Sequence, residues 1–80
     1  MKNENEAKAL GRRLRELRKA RKLSQQQLAF DADVERTTIK RIEFALASPT
    51  LDVLVSISRA MGLSVRDLMD DDAFTYSDPK

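Results

Sequence analysis

Cysteine, histidine and tryptophan are absent from this chain of 80 residues, and glycine and proline occur twice each. Without Cys or His there is no disulfide staple, no zinc finger, and no thiol or imidazole to serve as nucleophile or base. Long apolar runs are missing too, so no segment reads as a membrane span, and Met1-Lys2-Asn3-Glu4 lacks the profile of a signal peptide. Neither strand-type alternation nor a repeat period appears. A chain this short forms one domain and buries only about 60% of the surface its unfolded form exposes, so its core has to be economical. These absences leave a small, cofactor-free helical domain, expected in the cytoplasm.

What the chain does have is charge, unevenly placed. Fifteen Lys and Arg against 13 Asp and Glu give a net of only +2. Residues 1–22 nevertheless hold nine bases (Lys2, Lys8, Arg12, Arg13, Arg15, Arg18, Lys19, Arg21, Lys22) and three acids. Residues 23–47 carry three bases and four acids, and residues 48–80 carry three and six. A basic front with an acidic rear points to an anionic partner for the front; the alternative is a solvated helix face followed by an acidic tail. Composition alone does not choose.

Apolar spacing predicts five helices. Ala7, Leu10, Leu14, Leu17 and Ala20 form one stripe of a first helix over about 6–22. Gly11 inside it costs roughly 1 kcal/mol relative to Ala, which points to close packing. Ser24 and Gln27 have the spacing of a capping box, opening a second helix over 25–31 with Leu28 and Ala29 inward. Asp31-Ala32-Asp33 interrupts it, since Asp tolerates left-handed backbone. A third helix follows over 36–44, with Ile39 and Ile42 inward and Glu35 at its positive end. Thr50 caps a fourth over 51–61, whose buried face is Leu51, Leu54, Ile57, Ser58 and Met61, and Gly62 ends it. Ser64 and Asp67 cap a fifth over 65–69. The tail from Asp70 reads as mobile, although Phe74 and Tyr76 offer rings for docking, and a metal site at Asp70-Asp71-Asp72 is a weak reading beside a solvated run of like charge. No nucleophile–base constellation is visible, so the chain does not read as an enzyme.

Residues 25–44 carry the function. Two short helices joined by a tight turn, with small Ala29 at their crossing and Val34 plugging the turn, follow the logic of a helix-turn-helix. One helix holds the other so that its outer face can enter a DNA major groove. An ion pair also follows from spacing. Glu43 lies four residues after Ile39 and Arg18 four after Leu14, so both sit near the buried seam, and a half-buried carboxylate needs a partner.

Four stretches, in this order and spacing, resemble the Cro-like phage-repressor (Xre) helix-turn-helix domains over about residues 9–69. They are Leu10-Gly11-Arg12-Arg13-Leu14-Arg15-Glu16-Leu17-Arg18, Leu23-Ser24-Gln25-Gln26-Gln27-Leu28-Ala29, Thr38-Ile39-Lys40-Arg41-Ile42-Glu43 and Met61-Gly62-Leu63-Ser64-Val65-Arg66-Asp67-Leu68. The resemblance implies an all-α, compact bundle of five short helices, a lambda-repressor-like domain whose helices 2 and 3 form the motif. A flexible arm (1–8) would precede it and an acidic tail (70–80) follow. The implied function is sequence-specific binding of double-stranded DNA as a transcriptional regulator, a repressor or autoregulator. The helix at 36–43 would lie in the major groove, and a homodimer would bind palindromic half-sites ~34 Å apart.

Carried over by position, Arg36, Thr37, Lys40 and Arg41 become the base-contacting residues, since Arg and Lys suit the O6/N7 edge of guanine and Thr a thymine methyl. Ser24, Gln25, Gln26, Ser48 and Thr50 become backbone contacts. Arg18 and Glu43 match a structural ion pair of the family, and Leu46, Val65, Met69 and Phe74 are candidates for a dimer surface. Two departures stand out: Asp33 where the family has Gly, and Phe44-Ala45-Leu46-Ala47 where it has a polar residue, then Gly, then phosphate-binding residues. No small-molecule effector is expected within the chain. The competing reading is a protein-interaction module, antitoxin-like or a scaffold, on the same fold with weak or no DNA binding.

Overall fold

The computed structural model describes residues 4–74. Five α-helices follow one another: α1 (Glu4–Ala20), α2 (Gln25–Ala32), α3 (Arg36–Glu43), α4 (Leu51–Ala60) and α5 (Val65–Leu68). A 3-10 turn at Asp72–Phe74 closes the described chain. α3 packs on α1 and α2, α4 lies against α2, and α5 and the 3-10 turn return to α1. This is the all-α, five-helix lambda-repressor-like fold. No described helix is long and apolar enough to cross a membrane.

The core explains the order. Leu10 and Leu14 of α1, Leu28, Ala29 and Ala32 of α2, Ile39 and Ile42 of α3, Ile57 of α4, Met61 and Leu68 form one buried cluster. Leu17, Leu23, Val34, Leu54, Leu63 and Phe74 pack around it. Gly11 sits at the tightest point: a Cβ there would lie 2.7 Å from the carbonyl oxygens of both Ile42 and Glu43. Only a residue without a side chain lets α1 approach α3 so closely. Ser58, buried in α4, donates its hydroxyl to the Val55 carbonyl at 3.0 Å, which removes the cost of burying it.

Several boundaries and placements differ from the sequence reading. α1 starts at Glu4, so residues 4–8, expected in a flexible arm, are helical, and Ala7 and Ala9 are buried. It stops at Ala20 because Lys22 takes a φ of 56°. Ala20 is therefore an exposed last-turn residue and not part of the buried stripe. Leu51, expected on the buried face of α4, is 69% exposed. Helical side chains lean towards the N-terminus, so Leu51 overhangs the open start of α4, where no described element covers it. Glu35 caps α3 by its backbone conformation alone, without a side-chain hydrogen bond. The tail does not leave the body at Asp70: Asp71 pairs with Arg12 at 2.8 Å and Phe74 packs on the core. Tyr76, and the rest of the tail after Phe74, lie outside the described residues.

Candidate nucleic-acid interface

α3 is short, uncapped by any side chain, and strongly two-faced. Ile39 and Ile42 are fully committed to the core, Thr38 is half-buried, and Arg36, Thr37, Lys40 and Arg41 are exposed on the opposite side. A helix of 8 residues does not hold its shape alone in water. Its neighbours supply the rigidity.

α2 does so through the turn. The capping box at its start is complete: the Ser24 hydroxyl accepts from the Gln27 N–H at 3.0 Å, and the Gln27 side-chain oxygen accepts from the Ser24 N–H at 2.8 Å. At its end Asp33 adopts the left-handed conformation, with φ 56° and ψ 44°. The Val34 N–H then returns to the Ala29 carbonyl at 2.9 Å, which places Val34 as the plug between α2 and α3.

α1 fixes the other end of α3. Arg18 Nε donates to Glu43 Oε2 at 2.7 Å and Nη2 donates to Oε1 at 2.9 Å, a bidentate pair. Arg18 Nη1 also donates to the Leu23 carbonyl at 2.8 Å, and Gln25 Nε2 donates to Glu43 Oε1 at 3.2 Å. The two charged side chains are only 10% and 3% exposed. Hydrogen bonding to Glu43 raises the Arg18 pKa against the opposing effect of burial, so the guanidinium keeps its charge. Four pieces of backbone (α1, the α1–α2 turn, the start of α2 and the end of α3) therefore meet at one ion pair.

The remaining site residues fall into two groups. Ser24 and Gln26 line a groove with Leu23, Gln27, Phe30 and Asp31 at the start of α2. Thr50 caps α4, its hydroxyl oxygen accepting from the Val53 N–H at 3.2 Å. Ser48 lies in a cleft with Pro49, Leu54, Met69 and Phe74, against Leu10 of α1. That cleft brings together Ser48, proposed for phosphate, and two of the four dimer candidates. Leu46 projects outward, 66% exposed, while Val65, Met69 and Phe74 are half-buried.

Sequence reasoning missed two features. Phe30 is 85% exposed on the outer side of α2, a position its neighbours Leu28 and Ala29 leave facing solvent. The arginines of the basic front, which pointed to an anionic partner, are largely engaged within the fold. Arg13 donates to the carbonyls of Asp67 at 2.7 Å and Leu68 at 3.4 Å, and Arg21 to that of Met61 at 2.9 Å. These carbonyls lie at the ends of α5 and α4, where a cation offsets the negative end of the helix. An arginine reaching a carbonyl some 40 to 55 residues away leaves no trace in local spacing.

Comparison with known proteins agrees with this geometry. A family model described as "Helix-turn-helix" matches residues 14–68. The control protein C.BamHI of Bacillus amyloliquefaciens is 38% identical over 61 residues, which are 75% of this chain and 75% of that protein. The immunity repressor protein of Bacillus phage phi105 is 38% identical over 56 residues, 70% of this chain but 39% of the repressor. Among solved structures, the restriction-modification controller protein C.AhdI from Aeromonas hydrophila superposes with a TM-score of 0.76 at 32% identity, covering 78% of this chain and 94% of the other.

Proposed function

Since the chain belongs to the Xre-type helix-turn-helix family of DNA-binding transcriptional regulators, we propose that it acts as a repressor or autoregulator that inserts α3 into the major groove of a palindromic site as a homodimer. Arg36, Thr37, Lys40 and Arg41 read base edges on this account. Ser24, Gln25, Gln26, Ser48 and Thr50 hold the phosphate backbone on either side. The observation that carries the reading is the division of α3: one face is locked by Gly11, Ile39, Ile42 and the Arg18–Glu43 pair, and the other presents four exposed polar or basic side chains. Gln25 supports it from α2, since one amide N–H already braces Glu43. The two controller proteins are relatives whose length this chain spans by three quarters or more, which favours a regulator of that controller kind.

Selection of binding sites from random duplex DNA, with affinity followed across salt, tests the proposal. A short palindromic motif and a steep loss of affinity with salt are expected. Arg36→Ala and Arg41→Ala should each relax the preference at one position, at about 1–3 kcal/mol per base contact removed. No selected motif and a flat salt response would instead support the protein-interaction module.

A further inference from the structure

With Arg12, Arg13, Arg18 and Arg21 engaged within the fold, Lys8, Arg15, Lys19 and Lys22 are the exposed bases of the front that form no ion pair among the described residues. Lys8, Arg15 and Lys19 do not scatter around α1. At steps of seven and four residues, with Arg12 between the first two, they share one face of the helix. At 1.5 Å per residue this basic ridge is about 16 Å long.

The ridge borders a cleft between α1 and the end of α3. Lys8, Arg12 and Arg15 line it together with Gly11, Phe44 and Ala45, and its volume is about 360 Å³. A second, smaller cleft shares Arg15, Glu43 and Phe44 with the first and reaches Gln25 at the start of α2. The basic ridge is therefore continuous with the place where α2 and α3 are braced together. Two acids line these walls: Glu43 is neutralised by Arg18, and Glu16, exposed, is one negative charge against the three bases of the first cleft. The Phe44 ring, 60% exposed, stands where the family pattern has a polar residue.

We propose that the Lys8–Arg12–Arg15–Lys19 face of α1 is a second DNA-contacting surface, which grips the phosphodiester backbone flanking the half-site read by α3. This rests on the DNA-binding reading above and adds a contact that carries no base information. Lysine and arginine on a ridge of this length suit several phosphates of one strand, at about 3.4 Å of axial rise each. Phe44 and Ala45 in the cleft suit the apolar edge of a deoxyribose. Arg12 on this face is already paired with the Asp71 carboxylate at 2.8 Å, so Lys8, Arg15 and Lys19 are the charges the ridge offers to phosphate.

Lys8→Gln, Arg15→Gln and the double variant, made in the full chain, test this against the site obtained by selection. Affinity is measured from 50 to 200 mM salt on a duplex with about 6 base pairs of flank beyond the site and on a duplex trimmed to it. For each contact removed, the slope of log affinity against log salt should be shallower by about 0.9, so the loss over that fourfold salt range shrinks by roughly 3.5-fold. Base preference should not change, and on the trimmed duplex variant and wild type should coincide. Both residues are exposed, so unchanged thermal melting serves as the control for folding. Unchanged slopes on the flanked duplex, or an equal change on both duplexes, would overturn the proposal while leaving selective binding by α3 intact. A wild-type chain that selects no sequence overturns the reading beneath it, and the ridge with it.

Discussion

Lys22, Asp33, Ala45 and Gly62 share one backbone conformation, with φ between 56° and 72°, and each ends a helix. In all four the left-handed residue donates back three positions and the next residue donates back five: Leu23 to Arg18, Val34 to Ala29, Leu46 to Arg41 and Leu63 to Ser58, at 2.8–3.1 Å. This is the Schellman arrangement, with an apolar residue following the turn each time. Only one of the four left-handed positions is glycine. Asp33 and Gly62 were legible from the sequence because both residue types tolerate the conformation; Lys22 and Ala45 were not: after Lys22 the half-buried Leu23 packs on the core and fixes the stop, whereas Leu46 after Ala45 is exposed and its burial explains nothing. Ala45 stands where the resemblance expects glycine, and left-handed backbone costs an L-residue on the order of 1–2 kcal/mol. Glycine loses more entropy on folding, which offsets part of that. Ala45→Gly should therefore stabilise the domain by about 1 kcal/mol and raise its Tm by several degrees in calorimetry. A lower Tm would mean that the Ala45 methyl packs favourably enough to outweigh the strain. At Gly11 the sign reverses: a methyl 2.7 Å from two backbone oxygens has to push α3 away. Gly11→Ala should cost about 1–3 kcal/mol, read in the same scans.

α1 is the element on which the others are hung. It pairs Arg18 with Glu43 of α3, places Arg13 on carbonyls at the end of α5 and, in the turn just after it, Arg21 on the Met61 carbonyl at the end of α4, and holds the segment after α5 through Arg12 and Asp71. The first of these was legible, since four-residue spacing puts Arg18 and Glu43 on inward faces; the others join residues distant in sequence. Removing one partner of a buried pair strands the other charge, so Arg18→Ala should cost about 3–5 kcal/mol in urea unfolding, a large share of what a small domain has. Docking of the segment after α5 was read only as an option for the Phe74 and Tyr76 rings, and the part of Asp71 was missed because three consecutive aspartates read as a solvated run. Asp71 accepts from the Ala73 N–H at 2.9 Å and from Arg12 at 2.8 Å, and these hold its pKa below the usual carboxylate range. A carboxylate depressed in the folded state contributes fully above its unfolded pKa and loses that contribution as pH falls through the depressed value. The Ala73 amide should therefore stay protected from hydrogen exchange above about pH 4 and lose protection in acid. In Asp71→Ala it should be unprotected throughout, and retained protection would show that Phe74 alone docks the segment.

For the whole molecule, a net charge of +2 hides a division of labour that composition does not reveal. Part of the basic front stabilises helix ends, part forms an exposed ridge, and the proposed reading face is a separate small set on α3. The apolar surface is divided in the same way. Leu54, Met69 and Phe74 close a cleft over the core, whereas Leu46, immediately after α3, is left 66% exposed. One module of this kind buries only about 600–1,000 Å² on DNA, too little for tight selective binding alone. Two modules joined across a palindrome make the second binding event effectively intramolecular and gain on the order of 10²–10⁴ in affinity without any new base contact. On the two-fold reading, Leu46 is the most exposed of the four dimer candidates and so has the most to lose to a partner. Leu46→Glu leaves the core untouched and places a charge in that contact, so it should weaken binding to the full palindrome by on the order of tenfold or more while binding to an isolated half-site stays the same. Sedimentation at matched concentrations should show the variant shifted towards monomer. Equal losses on palindrome and half-site would place Leu46 beside the DNA rather than beside a second copy, and would move the dimer surface to Val65 and the Met69–Phe74 cleft.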